Sequence, residues 1–145
     1  MTTVNVYLTF NGNAEEAFNF YKSVFGGEFA YIGKFKDMPA DDNAPKMTEE
    51  ESNRIMHVAL PISKETVLMA SDTTSAYGDV TFGNNFSVSI NTDSAAEADK
   101  LFAGLSAGGI IIMPMEKTFW GAYFGMFTDK FGINWMINFD ETPQH

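Results

Sequence analysis

Cysteine is absent from the 145-residue sequence, which excludes disulfides, thiolate zinc sites, iron–sulfur clusters and cysteine nucleophiles. Basic residues are few. The 9 Lys and Arg face 19 Asp and Glu, for a formal charge of −10, which repels phosphate backbones and anionic lipid surfaces; no nucleic-acid or membrane partner is expected. No stretch approaches the roughly 20 apolar residues that cross a bilayer, and Met1 to Phe10 has no basic region ahead of an apolar run. A cytoplasmic protein is expected, and the lack of cysteine fits a reducing compartment. The acidity reads as solubility rather than as a field that steers cations. What is present is 45% apolar and 14% aromatic content, enough for a sizeable core in one domain over 1–145.

Val4, Val6, Leu8 and Phe10 alternate with Asn5, Tyr7 and Thr9, the period of a two-faced strand. A helix follows, with Asn13 as cap, Glu16 in the reciprocal position, the stripe Ala17, Tyr21, Val24, Phe25, and Gly26-Gly27 as its stop. Glu28 to Phe35 then reads as a strand. The same grammar returns with Phe86 to Asn91 as a strand, Ser94 as cap, Glu97, and the stripe Ala98, Phe102, Leu105. Asn13 to Ser94, Glu16 to Glu97, Ala17 to Ala98, Tyr21 to Phe102 and Val24 to Leu105 share an offset of 81, so the chain reads as an internal duplication. The last strands, Val67 to Asp72 and Trp135 to Asp140, superpose at an offset of 68. The two offsets differ by 13, which assigns the surplus to an acidic insertion over 36–52, carrying Asp37, Asp41, Asp42, Glu49, Glu50, Glu51, Pro39 and Pro45. Ile110 to Met113 reads as the second strand of the later half, and Asn53 to Ile62 and Phe119 to Thr128 as the third strands. The expected class is α+β: two βαβββ modules, 1–80 and 81–145, whose curled mixed sheets surround a cleft.

Phe20-Tyr21-Lys22-Ser23-Val24-Phe25-Gly26 and Asp129-Lys130-Phe131-Gly132, set within paired βαβββ units, resemble the vicinal oxygen chelate superfamily of glyoxalase I, extradiol dioxygenases and bleomycin resistance proteins. Tyr7 to Asn13, Leu68 to Asp72, Trp120-Gly121 and Asp129 to Trp135 are similar to its PhnB-like branch. The resemblance implies a glyoxalase-like fold, a homodimer and, in the metal enzymes, His or Glu ligands on the first and last strand of each module. The matching positions fall near Asn5 and Met69, and near Asn85 and Met136. Their neighbours Val4, Val6, Leu68, Ala70, Asn84, Phe86, Trp135 and Ile137 supply no imidazole or carboxylate either, so no metal is expected. PhnB-like sequences are sometimes described as ubiquinone-pathway methyltransferases. Yet no glycine-rich turn leads from a strand into a helix, since both glycine pairs follow helices. No cofactor is expected.

His57, in Arg54 to Leu60, is the one imidazole besides terminal His145. It is either an acid/base and carbonyl-binding group or a strand histidine satisfied by a neighbour. Tyr7, Met69, Phe119, Trp120, Tyr123, Trp135 and Met136 could line an apolar pocket. Trp135 and Met136 must point oppositely, so one of the two belongs to the core. Asn5 and Asn85 either bind a ligand or face solvent. The insertion is either a lid or a solvated excursion. Three functions remain open: a small-molecule-binding protein with a ligand in an apolar cleft, touched by Asn5, Tyr7, Met69, Asn85, Trp120, Tyr123 and Met136; an enzyme of lyase, isomerase or oxygenase type using His57; or a dimeric structural or interaction module.

Overall fold

The structure, a computed structural model, describes residues 2–39, 43 and 46–141. It divides into two compact units, Met1–Thr81 and Phe82–His145. In the first, β1 (Tyr7–Phe10) leads to α1 (Ala14–Phe25), β2 (Tyr31–Lys34), a one-turn α2 (Glu49–Ser52), β3 (Ile55–Pro61) and β4 (Val67–Asp72). The sheet order is β1-β4-β3-β2, with β1 parallel to β4 and the other pairs antiparallel. Leu8, Phe10, Val58, Leu60, Leu68 and Ala70 are all buried, as are Ala14, Ala17, Phe18 and Tyr21 of α1. Phe18 meets Phe10 and Tyr21 edge to face at 6.4 and 5.3 Å. The buried stripe of α1 thus runs through Phe18, while Val24 and Phe25 are only half-buried.

Two local expectations are corrected. The first strand begins at Tyr7, not Val4, because pairing with β4 begins at Tyr7↔Met69, and Val4 is left 96% exposed. Asn13 makes no side-chain cap. The buried carboxyl of Asp72, at the end of β4, takes that role: Oδ1 accepts the N–H groups of Gly12 and Ala14, both at 3.0 Å, and Oδ2 accepts Ile55 N–H at 2.9 Å. Gly26 and Gly27 do end the helix, with φ of 82° and 80°.

The second unit repeats the plan with β5 (Val88–Asn91), α3 (Ala95–Ser106), β6 (Ile110–Lys117), β7 (Ala122–Thr128) and β8 (Asn134–Asp140), in the order β5-β8-β7-β6. Again the first and last strands are parallel and the other pairs antiparallel. Here the cap is as expected, Ser94 Oγ accepting Glu97 N–H at 3.1 Å. Ala98, Leu101, Phe102 and Leu105 form the buried face of α3. Together these elements make an α+β fold with a mixed four-stranded sheet in each unit, as expected of the paired βαβββ plan.

The registers correct the offset of the last strands. Val58 pairs with Ala70 and Leu60 with Leu68; Gly125 pairs with Ile137 and Phe127 with Trp135. Each of these four residues in the first unit maps onto its counterpart 67 positions later, not 68. The slip matters because one residue inverts the face. At 68, buried Leu68 would correspond to half-buried Met136; at 67 it corresponds to fully buried Trp135.

The insertion is partly ordered where a loop is expected. Thr48 Oγ1 accepts Glu51 N–H at 3.1 Å, and Glu49, Glu50 and Glu51 occupy the first turn, where the helix dipole favours them. Asp41, Asp42 and Pro45 lie outside the described residues. Glu51 ties the segment to the loop after β4: its Oε2 accepts Ser75 N–H at 2.9 Å, and both oxygens accept the Ser75 hydroxyl at 3.1 Å. The Ser75 N–H is the main cause that holds the Glu51 carboxyl below its usual range; burial opposes it, and the Ser75 and Thr48 hydroxyls and Arg54 reinforce it. A depressed folded value means that the tie is fully present above the unfolded carboxyl range and is lost as pH falls through the lower folded value. Ser75 N–H should therefore be protected from hydrogen exchange at neutral pH. It should lose that protection in Glu51→Ala and in strong acid; unchanged protection in the variant would count against the tie.

Candidate functional site

Strand alternation sends Leu8, Val58 and Ala70 into the helix-covered face of the first sheet. Tyr7, Tyr31, His57, Ala59 and Met69 go to the opposite face, where Tyr7 and Ala59 both pair with Met69, and Tyr31 pairs with Ala59. On that face Tyr7 Oη lies 3.1 Å from His57 Nδ1. The two rings stack at 5.7 Å and 22° across β4, and Tyr31, on the adjacent strand β2, approaches His57 at 5.8 Å and 35°. Gly33 stands opposite His57 in the ladder. A Cβ there would fall 2.9 Å from the Tyr31 ring, so glycine makes the room in which Tyr31 lies along the strand. Tyr7 and Tyr31 are each 48% exposed, leaving ring surface available to a ligand. The Tyr7 O–H donates when Nδ1 is unprotonated; when Nδ1 carries the proton, it donates to the phenol oxygen.

The sequence candidates separate accordingly. His57, Tyr7 and Met69 share this face. Asn5 and Asn85 precede their strands and are exposed, and Asn5 Nδ2 donates to Thr3 Oγ1, at 3.4 Å. Tyr123 points the other way: its O–H donates to Asp99 of α3 at 2.6 Å, and that bond is the first cause that holds the phenol above its usual range. Trp120 is 53% exposed in the turn between β6 and β7, packed edge to face on Phe119 at 5.0 Å. Met136 is half-buried on the open face of the second sheet, opposite Ser89 and Met126, while Trp135 is fully buried beneath it. Tyr31 escaped the sequence reading. Its signal is the spacing Tyr31-x-Gly33, a ring followed on the same face by a residue without a side chain.

The corrected register also shows that the cluster is not duplicated. Tyr7, paired with Met69, corresponds to Ser89, paired with Met136; His57 corresponds to Phe124. The second open face carries Phe124, Met126 and Met136 beside a polar group in which Asn138 Nδ2 donates to Asn91 Oδ1 and Asp140 Oδ1, both at 3.1 Å.

Neither open face suits a metal ion of the kind the fold family holds. The strand pairs that would supply ligands offer Tyr7 with Met69 and Ser89 with Met136, and a thioether is a poor ligand for hard or borderline divalent ions. Among the described residues, no three His, Asp or Glu converge on a common point. The strand-to-helix turns are equally unsuited to the phosphate-like or adenosyl groups that glycine-rich turns cradle. Between β1 and α1 the Gly12 and Ala14 N–H groups are consumed by Asp72, and the β5–α3 turn, Thr92-Asp93-Ser94, has no glycine. No helix of the described residues is long and apolar enough to cross a membrane.

Residues 2–138 match the family model described as 3-demethylubiquinone-9 3-methyltransferase. The chain is 40% identical to protein PA1353 from Pseudomonas aeruginosa, with a TM-score of 0.82 over 97% of this chain and 98% of that one. It is 27% identical to a PhnB protein from Bacillus cereus, with a TM-score of 0.73 over 95% and 99%. The fold alone is shared with a glyoxylase/bleomycin resistance protein/dioxygenase domain from Frankia sp. EAN1pec, 12% identical, with a TM-score of 0.66 over 97% and 98%.

Proposed function

Because the chain belongs to the family described as 3-demethylubiquinone-9 3-methyltransferase, the PhnB-like branch of the vicinal oxygen chelate superfamily, we propose that it binds a small molecule on the open face of its first sheet, without a metal ion. The ligand is planar or carbonyl-bearing: the Tyr7 and Tyr31 rings supply apolar surface, Met69 an adaptable floor, and the Tyr7–His57 pair a hydrogen-bonding group at its centre. The observation that carries this reading is the half-exposed Tyr7–His57–Tyr31 cluster, with a 3.1 Å bond joining two of its members. Methyl transfer is not carried over from the family's description, because the amides of the β1–α1 turn are committed to Asp72 and the β5–α3 turn has no glycine.

The same bond favours a second reading, an enzyme in which His57 moves a proton and Tyr7 orients the ring. Titration of the purified protein with small aromatic and carbonyl compounds, followed by NMR, tests both. Binding should shift the His57 ring protons; His57→Ala should weaken it about tenfold, the equivalent of one lost hydrogen bond plus its stacking area, and Tyr7→Phe by about threefold. Turnover of a bound compound, lost in His57→Ala, would select the enzyme reading. Binding that leaves the His57 and Tyr7 signals unmoved would sink both.

A further inference from the structure

A separate pocket of about 310 Å³ lies in the first unit, between the insertion and the loop that follows β4. It shares no residue with the aromatic cluster. Its walls are chiefly apolar, from Phe35, Met38, Met47 and Tyr77, with Lys46 and Glu51 as charged members. The two charges are not equivalent. Glu51 is occupied by Ser75 and Thr48, so its oxygens have little capacity for a ligand donor. Lys46, by contrast, is exposed and makes no ion pair among the described residues. Two flexible thioether side chains, able to remould around an alkyl chain, complete the picture.

We propose that this pocket is a second binding site, for a small hydrophobic monoanion whose alkyl chain lies between Met38, Met47 and Phe35 and whose carboxylate meets Lys46. The volume holds roughly ten water-sized groups, which matches the heavy-atom count of a medium-chain carboxylate such as octanoate. The pairing of one lysine with one carboxylate selects the charge, and the apolar walls select the tail.

The test is titration of the whole chain with octanoate and with octanol, monitored by amide chemical shifts. Octanoate should shift the signals of Met38, Lys46, Met47 and Tyr77 and leave those of Tyr7, Tyr31 and His57 in place, which separates this site from the aromatic face. Lys46→Met, which keeps the apolar stem, should weaken octanoate about tenfold while leaving octanol unchanged. Ala76→Trp, placed to fill the pocket, should abolish both, with melting temperature reporting that the variant is folded. Equal affinity for octanoate and octanol, indifference to Lys46→Met, octanoate shifts confined to the aromatic face, or the absence of saturable binding in the millimolar range would each overturn the proposal.

Discussion

Replacement of Asp72 with alanine is expected to destabilise the chain by about 3–5 kcal/mol, lowering the melting temperature by roughly 10 °C. The residue is 4% exposed, and its carboxyl receives three backbone N–H groups, from Gly12, Ala14 and Ile55. These come from the entry of α1 and from the start of β3, so one side chain fixes the helix N-terminus against the strand that packs beneath it. Alanine leaves all three donors without that acceptor, each loss carrying a desolvation penalty of about 1–3 kcal/mol less whatever water recovers. Asp72→Asn is the informative control. It keeps one carbonyl oxygen but turns the other acceptor into a donor, so its loss should be smaller, about 1–3 kcal/mol. Thermal melts of the two variants decide the matter: if Asp72→Ala is within 1 kcal/mol of the wild type, α1 is held by something other than this carboxyl.

Asp72 also marks where local sequence reading stops. The helix pair, the glycine stops and the cap at Ser94 are legible because their determinants lie within a few residues of each other. The cap of α1 is not, since the acceptor lies about 60 residues from the amides it binds. Asn13 has the right chemistry in the right place and is bypassed. Similarly, Asn5 fits the alternation of a strand, yet pairing with β4 begins only at Tyr7, two residues further on. At the candidate site, His57 and Tyr7 could be chosen by residue type, but their bond depends on the β1-β4-β3 order of the sheet, which sets these two strands on either side of β4. Tyr31 needed the position of Gly33 opposite His57, a cross-strand fact. The contact of Tyr123 with Asp99 of α3 was hidden for the same reason: alternation fixes that neighbours oppose one another, yet not which of them meets the helix.

That ambiguity has an energetic test in β8. Trp135→Ala is expected to cost about 3–5 kcal/mol and Met136→Ala less than about 1.5, although the two are adjacent in sequence. Trp135 is fully buried on the helix-covered face, between Val88 and Phe127 in the ladder, and its indole N–H donates to Asp129 Oδ2 at 2.8 Å. Asp129 in turn accepts the N–H groups of Phe131 and Ile133 through Oδ1, at 2.8 and 3.0 Å, so the indole braces the turn that starts β8. Trp135→Phe isolates that contribution, keeping most of the ring volume while withdrawing one donor from Asp129, and should fall between the other two, near 2 kcal/mol. Met136 lies on the open face, half-buried, where truncation leaves a dent that solvent can fill rather than a cavity. A repeat offset of 68 would have set Met136 in the place of buried Leu68 and reversed the order of these losses, so denaturant titration of the alanine pair reads out the face directly. Equally large losses at both positions would mean that neither face of this strand is open, and the register-based placement of the second unit's candidate residues would fall with them.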